Sequence, residues 1–204
     1  MKRAVIYAAA LTVIIAAPMS VSARDRSAHD GGMAMAKMPS RDAKFMKHVA
    51  RDGMAEVELG RLVSQRASSG TVKQFAQQMV TDHSRANDEL MQLAEQKGVE
   101  VPTALDRKHK KAYDSLAKLS GPDFDRAYIR EMARDHNKDL KMFNREATRA
   151  KDPDVKAWAA KTLPTLQQHQ DQVKQTASSM NEPLPTNGWA WPGDKAAGRA
   201  RVSQ

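Results

Sequence analysis

The chain has 204 residues, with 33 Lys and Arg against 24 Asp and Glu, a formal net charge of +9 and no cysteine. The missing cysteines exclude disulfides, thiolate metal ligands, cysteine nucleophiles and a lipid-attachment cysteine. The positive surplus favours anionic neighbours, but the basic residues are spread among acidic ones without aromatic interleaving, the pattern of solvated helix faces rather than of a nucleic-acid surface.

Lys2 and Arg3 precede an apolar run from Ala4 to Ala17 and a small-residue site at Val21-Ser22-Ala23. This is the pattern of a secretory signal peptide over residues 1–23. An uncleaved anchor is the poorer reading, since a membrane span wants about 20 apolar residues. Cleavage leaves no further transmembrane span, so the mature chain is expected in the periplasm or associated with the outer membrane. Its basic surface would there meet acidic envelope components such as lipopolysaccharide and phospholipid head groups. Residues 24–39 read as a flexible leader. His29, Met33, Met35 and Met38 within it could hold a soft ion such as Cu(I), but disorder is the simpler account of a segment without periodicity.

From Ser40, a plausible N-cap, the pattern becomes helical. Phe45, Val49, Gly53, Gly60, Val63 and Ala67 form an apolar or small seam, and Glu56 falls on it while Glu58 belongs to a more polar face. Glycines inside a helix each cost about 1 kcal/mol relative to alanine, so Gly53 and Gly60 suggest something bulky beside Glu56. Ser68-Ser69-Gly70 breaks this helix. A second runs from about Thr71 to Gly98 on a seam of Val72, Phe75, Met79, His83, Ala86, Leu90 and Leu93. Residues 99–121, with a weaker helical piece from Thr103 to Leu119, are too long for a tight hairpin and read as a crossover. The third long helix, from about Pro122 to Ala150, carries Ile129, Met132, His136, Leu140, Phe143 and Ala147 on its seam. Asp152-Pro153 then caps a fourth, to about Met180, with Val155, Trp158, Ala159, Thr162, Leu166, His169 and Val173. Pro164 is expected to kink it. Residues 181–204, with Trp189 and Trp191, read as a disordered tail, with a docking tag as the functional alternative.

Val72-Lys73-Gln74-Phe75-Ala76 after Ser-Gly and Val155-Lys156-Ala157-Trp158-Ala159 after Asp-Pro form a weak internal repeat. Two such hairpins joined by a long crossover containing a short extra helix predict an all-α fold, a ferritin-like four-helix bundle over residues 40–180.

Each long helix thus places one ionisable side chain where leucine would be expected: Glu56, His83, His136 and His169. Glu56 and His83 are equidistant from the Ser69-Gly70 turn, and His136 and His169 from the Asp152-Pro153 turn. At a rise of about 1.5 Å per residue each pair lies about 20 to 25 Å from its turn, so the partners should face each other near mid-helix. One carboxylate and three imidazoles buried together suit a single transition metal ion, Zn, Fe, Mn or Cu. Asp82 and Asp135, each preceding a seam histidine, are weaker candidates for orienting an imidazole, the alternative being solvent or an arginine. A metal-free hydrogen-bonded network that fixes helix register is the competing account. His48 and His109 fall off the seams and receive no role.

Ala55-Glu56-Val57-Glu58-Leu59-Gly60, Phe75-Ala76, Asp82-His83-Ser84, Phe124-Asp125-Arg126-Ala127-Tyr128, Asp135-His136 and Leu163-Pro164-Thr165-Leu166 with His169 resemble the exported bacterial family called domain of unknown function 4142. Its members are often labelled outer membrane proteins. The resemblance covers roughly residues 41–178 and implies a ferritin-like bundle without an established activity. Di-iron proteins of that fold use Glu-x-x-His on two helices, whereas Val80, Ala133 and Leu166 stand three residues before the histidines here, which argues against a di-iron ferroxidase. No nucleophile or paired acid and base stands out, so an enzyme is the less favoured reading. The expected function is metal binding in the bacterial envelope for storage, sensing or stress protection. The alternative is a metal-free structural or interaction module.

Overall fold

Helix α1 spans Ser40–Arg66, α2 Gly70–Gln96, α3 Arg107–Ala117, α4 Gly121–Arg149 and α5 Pro153–Ser179. They come from a computed structural model in which residues 38–184 are described. The expected signal peptide, nearly all of the leader, and Trp189 and Trp191 lie outside that range. No strand occurs among the described residues, and no helix there is long and apolar enough to cross a membrane.

The caps follow local chemistry. Ser69 accepts from the backbone N–H of Val72, and Asp152 from those of Asp154 and Val155, satisfying donors that a helix start leaves open. Gly98, at φ +63°, stops α2 as its position predicts. Two expectations shift. Pro39 rather than Ser40 holds the cap position of α1, and α3 is shorter than the predicted 103–119 because Asp106 caps it by accepting from the His109 N–H.

The crossover decides the order of the bundle. Lys97 at the end of α2 bonds Asp152 and Asp154 at the start of α5, 2.9 and 2.6 Å away, so those helices are antiparallel neighbours. Ser68, at the α1 end, meets Asp125 near the α4 start, so α1 and α4 are antiparallel neighbours too. α2 and α4 therefore run parallel on the diagonal, the ferritin-like arrangement of two hairpins rather than a simple up-down bundle.

Two buried aspartates fasten one hairpin to the other. Asp42 Oδ2 accepts from the backbone N–H groups of Lys151 and Asp152 at 2.9 and 2.7 Å. Asp125 accepts from the N–H groups of Ser68 and Ser69 at 3.1 and 2.7 Å and from the Ser68 hydroxyl at 2.6 Å. Each aspartate opens one hairpin and holds the turn of the other.

The apolar core is divided. Val63, Val72, Phe75, Met79, Phe124, Tyr128, Met132 and Val173 pack at the α1–α2 turn end. Phe45, Val49, Leu90, Phe143, Val155, Trp158 and Leu166 pack at the other, with Phe45, Phe143 and Trp158 in mutual ring contact at 5.2 to 6.1 Å. On all four long helices the boundary between these halves falls at the seam residue singled out in the sequence.

The glycines have a different reason from the one expected. A Cβ on Gly53 would stand 2.2 Å from Asn87 Oδ1, and one on Gly60 would stand 2.8 Å from Val80 Cγ2 and 3.1 Å from the Ala76 carbonyl oxygen. They let α2 approach α1 closely; the bulk beside them is α2 itself.

Candidate metal centre

Between the two apolar halves lie His83, His136 and His169, each buried, with one ring nitrogen from each within 4.8 Å of the other two. The ring centroids are 5.2 to 5.6 Å apart. Glu56 is equally buried and joins them: its Oε2 lies 2.9 Å from His83 Nδ1 and its Oε1 3.7 Å from His136 Nδ1. All four seam residues therefore meet, and the two hairpins share one level.

The outward nitrogens of the rings are occupied. His136 Nδ1 is 3.1 Å from the Met132 carbonyl oxygen, four residues back on the same helix. A carbonyl only accepts, so Nδ1 carries the proton and Nε2 holds a lone pair. His169 Nε2 is 2.9 Å from Asp82 Oδ2. Between these rings His136 Nε2 faces His169 Nδ1 at 3.3 Å. On the third ring, Nε2 of His83 is buried without a hydrogen-bond partner among the described residues, as is Oε1 of Glu56.

Burial sets the charge state. It pushes His83 down to about 4 against a smaller pull from Asp82. His169 also falls to about 4, through burial and then His83, with Asp82 opposing. Burial, then His83 and His169, drives His136 well below the imidazole range. Burial, then Asp135 and Asp52, holds Glu56 well above the carboxylate range. Burial thus keeps the histidines neutral at neutral pH and favours the uncharged form of Glu56.

Of the weaker candidates, Asp82 does orient an imidazole, but it is His169 across the bundle rather than its own neighbour His83. Asp135 pairs with Arg134 and Lys138 at 3.3 and 3.1 Å, the arginine-facing alternative. Asp139, one turn beyond His136, escaped the sequence reading. It is buried, and burial followed by Glu56 and Asp52 keeps its carboxyl well above the ordinary range. A cavity of about 20 Å³, room for one water-sized species, is bordered by Asp52, Glu56, His83, Asp139 and His169. Spacing could have found both added carboxylates, since Asp52 precedes Glu56 by four residues and Asp139 follows His136 by three.

Fold and site define a four-helix bundle with a buried imidazole layer between two apolar halves. The chain belongs to the family described as domain of unknown function DUF4142, which matches residues 27–176, as the motifs around Glu56, His83 and His136 implied. It is similar in structure to a DUF305 fragment from Deinococcus radiodurans, at 14% identity and a TM-score of 0.62, covering 70% of this chain and 98% of that one. A DUF305 protein from Streptomyces coelicolor, described as secreted, aligns at 15% identity and a TM-score of 0.60, covering 72% and 97%. A protein from Bacillus halodurans C-125, described as a spore coat protein, aligns at 12% identity and a TM-score of 0.59, covering 75% and 96%. These likenesses show the fold. A comparison with curated proteins finds no match.

Proposed function

We propose that the chain is an exported protein of the bacterial envelope that binds one transition metal ion through His83, His136 and His169, for storage, sensing or stress protection. The observation that carries this reading is a count of protons. Three contacts in series, Met132 O to His136, His136 to His169, and His169 to Asp82, need three protons. Two neutral imidazoles supply two. A third would make an imidazolium, which burial opposes. A divalent ion removes the conflict: the outer N–H groups stay on Met132 O and Asp82, and His136 Nε2 and His169 Nδ1 both turn lone pairs on the metal. His83 completes the set with its unpartnered Nε2, and Glu56 Oε2 stands 2.9 Å from its far nitrogen. We accordingly assign Glu56 to the support of His83 rather than to the ion. Three neutral imidazoles favour Zn, Cu or Fe over the harder Mn.

The rival reading, a metal-free network within a structural or interaction module, uses the same contacts, already at hydrogen-bonding distance. It leaves the series one proton short and His83 Nε2 unpaired. Export is supported by the pattern of residues 1–23.

Elemental analysis of untagged protein from a periplasmic extract, and after reconstitution, tests the reading against His136→Ala. Stoichiometric metal in the wild type and one ion per chain fewer in the variant is the expected result. A wild type that takes up no stoichiometric metal on reconstitution sinks it. The mass of the extracted chain should begin at Arg24.

A further inference from the structure

His48 and Asp52 are one turn apart on α1, and the crossover brings His109 of α3 against them. His48 Nε2 lies 3.3 Å from Asp52 Oδ2, and His109 Nε2 lies 3.2 Å from Asp52 Oδ1. The other nitrogen of His109 is 2.9 Å from Asp106 Oδ1. These are ion-pair distances, and Asp52, then Asp106, favours the charged form of His109 against burial; in strict hydrogen-bond geometry Asp52 Oδ1 and His109 Nδ1 are nevertheless both buried without a partner among the described residues. One carboxylate thus gathers two imidazoles and leaves donor atoms unsatisfied. Ligand atoms around a tetrahedral ion at about 2.0 to 2.2 Å stand about 3.3 to 3.6 Å from one another, close to the separation of Asp52 from each ring.

We propose that His48, Asp52 and His109 form a second transition-metal site on the outer side of α1, and that it serves as the entry site for the buried imidazole layer. The rings stand on different oxygens of Asp52, so closing on one ion requires His48 to swing. Its side chain is 50% exposed and free to do so, whereas that of His109 is 13% exposed and fixed. Asp52 also borders the cavity that reaches Glu56 and His83, one turn from Glu56 on the same helix. It therefore faces the outer histidines on one side and the layer on the other. Lys108 is the nearby opposing charge. The outer site stands on its own geometry; its entry role rests on the proposed function of the layer.

Equilibrium dialysis against Zn(II), followed by elemental analysis, separates the two. Wild type should bind one more ion per chain than His109→Ala, and one more than His136→Ala, with both losses in the double variant. His48→Ala, at a half-exposed position that leaves the core untouched, should weaken the outer ion by at least about tenfold, which keeps the test valid if His109→Ala fails to fold. Filling of the layer, followed with Co(II) by its visible absorption, should slow about tenfold in His48→Ala at unchanged final occupancy. Zn(II) binding by His48→Ala indistinguishable from wild type overturns the outer site and leaves His109 an ion-pair latch between α3 and α1. Unchanged uptake kinetics overturn the entry role. Wild type and His136→Ala binding alike would instead remove the layer and spare the outer site.

Discussion

Asp82 reaches across the bundle from α2 to place its Oδ2 2.9 Å from His169 Nε2 on α5. The preceding residue of one histidine thereby orients another. If the layer binds metal, Asp82 acts on the ion through the ring it holds. Asp82→Asn should weaken Zn(II) binding about 10- to 100-fold, whereas His169→Ala should abolish it. Competition with a chelator of known affinity measures both. Equal effects of the two substitutions would remove the distinction between ligand and support.

The same argument applies to Glu56. As the partner of His83 Nδ1, it should give Glu56→Gln a loss of about 10- to 100-fold that leaves stoichiometry intact. Loss of the ion altogether would return Glu56 to the ligand set. Elemental analysis at saturating Zn(II) decides.

The buried layer also makes metal-free stability depend on pH in two opposite senses. His83 falls from 6.5 to about 4 on folding, so between those values the unfolded chain binds a proton that the native bundle does not. Its contribution is present above about pH 6.5 and lost as pH falls towards 4, at about 1.4 kcal/mol per unit of separation. Glu56, raised by burial, does the reverse: its contribution is present below its ordinary value of 4.5 and is lost as pH rises. In wild type these slopes offset each other. Relative to wild type, His83→Gln should gain stability on acidification from pH 6.5 to 4, and Glu56→Gln on alkalinisation from pH 4.5. Urea midpoints of metal-free protein across that range provide the measurement, and same-sign trends for the two variants would contradict the assignment.

Asp42 and Asp125 should matter more than typical charged residues near helix starts. Each is buried and accepts two backbone N–H groups. Removing such an acceptor takes the partner from two turn N–H groups, at about 1 to 2.5 kcal/mol for each hydrogen bond to a carboxylate. Asp42→Ala and Asp125→Ala are expected to lower unfolding free energy by about 2 to 5 kcal/mol on that scale, visible as a large drop in urea midpoint. A change under about 0.5 kcal/mol would place them among ordinary surface positions.

The two close-packing glycines should separate in the same assay. Gly60→Ala presses on Val80 and on the backbone oxygen of Ala76, neither of which yields readily, and should be destabilising by about 1 to 3 kcal/mol. Gly53→Ala meets only the end of the Asn87 side chain, so Asn87→Ala should restore much of what it loses.

The helical seams, the two hairpins and the level of the imidazole layer were legible because periodicity reports which face is buried and distance from a turn reports height. Partners across the bundle were not. Asp82 serving His169, and Asp42 and Asp125 serving turns in the other hairpin, depend on which helices become neighbours, and the crossover alone decides that. Spacing did mark Gly53 and Gly60 as unusual, but a missing side chain shows that something approaches without saying what. Here it is α2, so the inference of a bulky group beside Glu56 gives way to helix packing. His109 falls off the apolar seams; its relevance comes from Asp52 on a different helix.

The reciprocal aspartates carry a consequence for how the chain assembles. Each hairpin has mainly local contacts and can form early, yet the N–H groups at its turn find their acceptor only at the start of the other hairpin. The buried cluster is likewise divided, with Glu56 and His83 from one hairpin and His136 and His169 from the other. Hairpin docking should therefore be the cooperative step in folding, with neither half persisting as an independent unit. A metal held by the layer would bind the docked state alone, making ion capture and hairpin assembly the two readouts of one equilibrium.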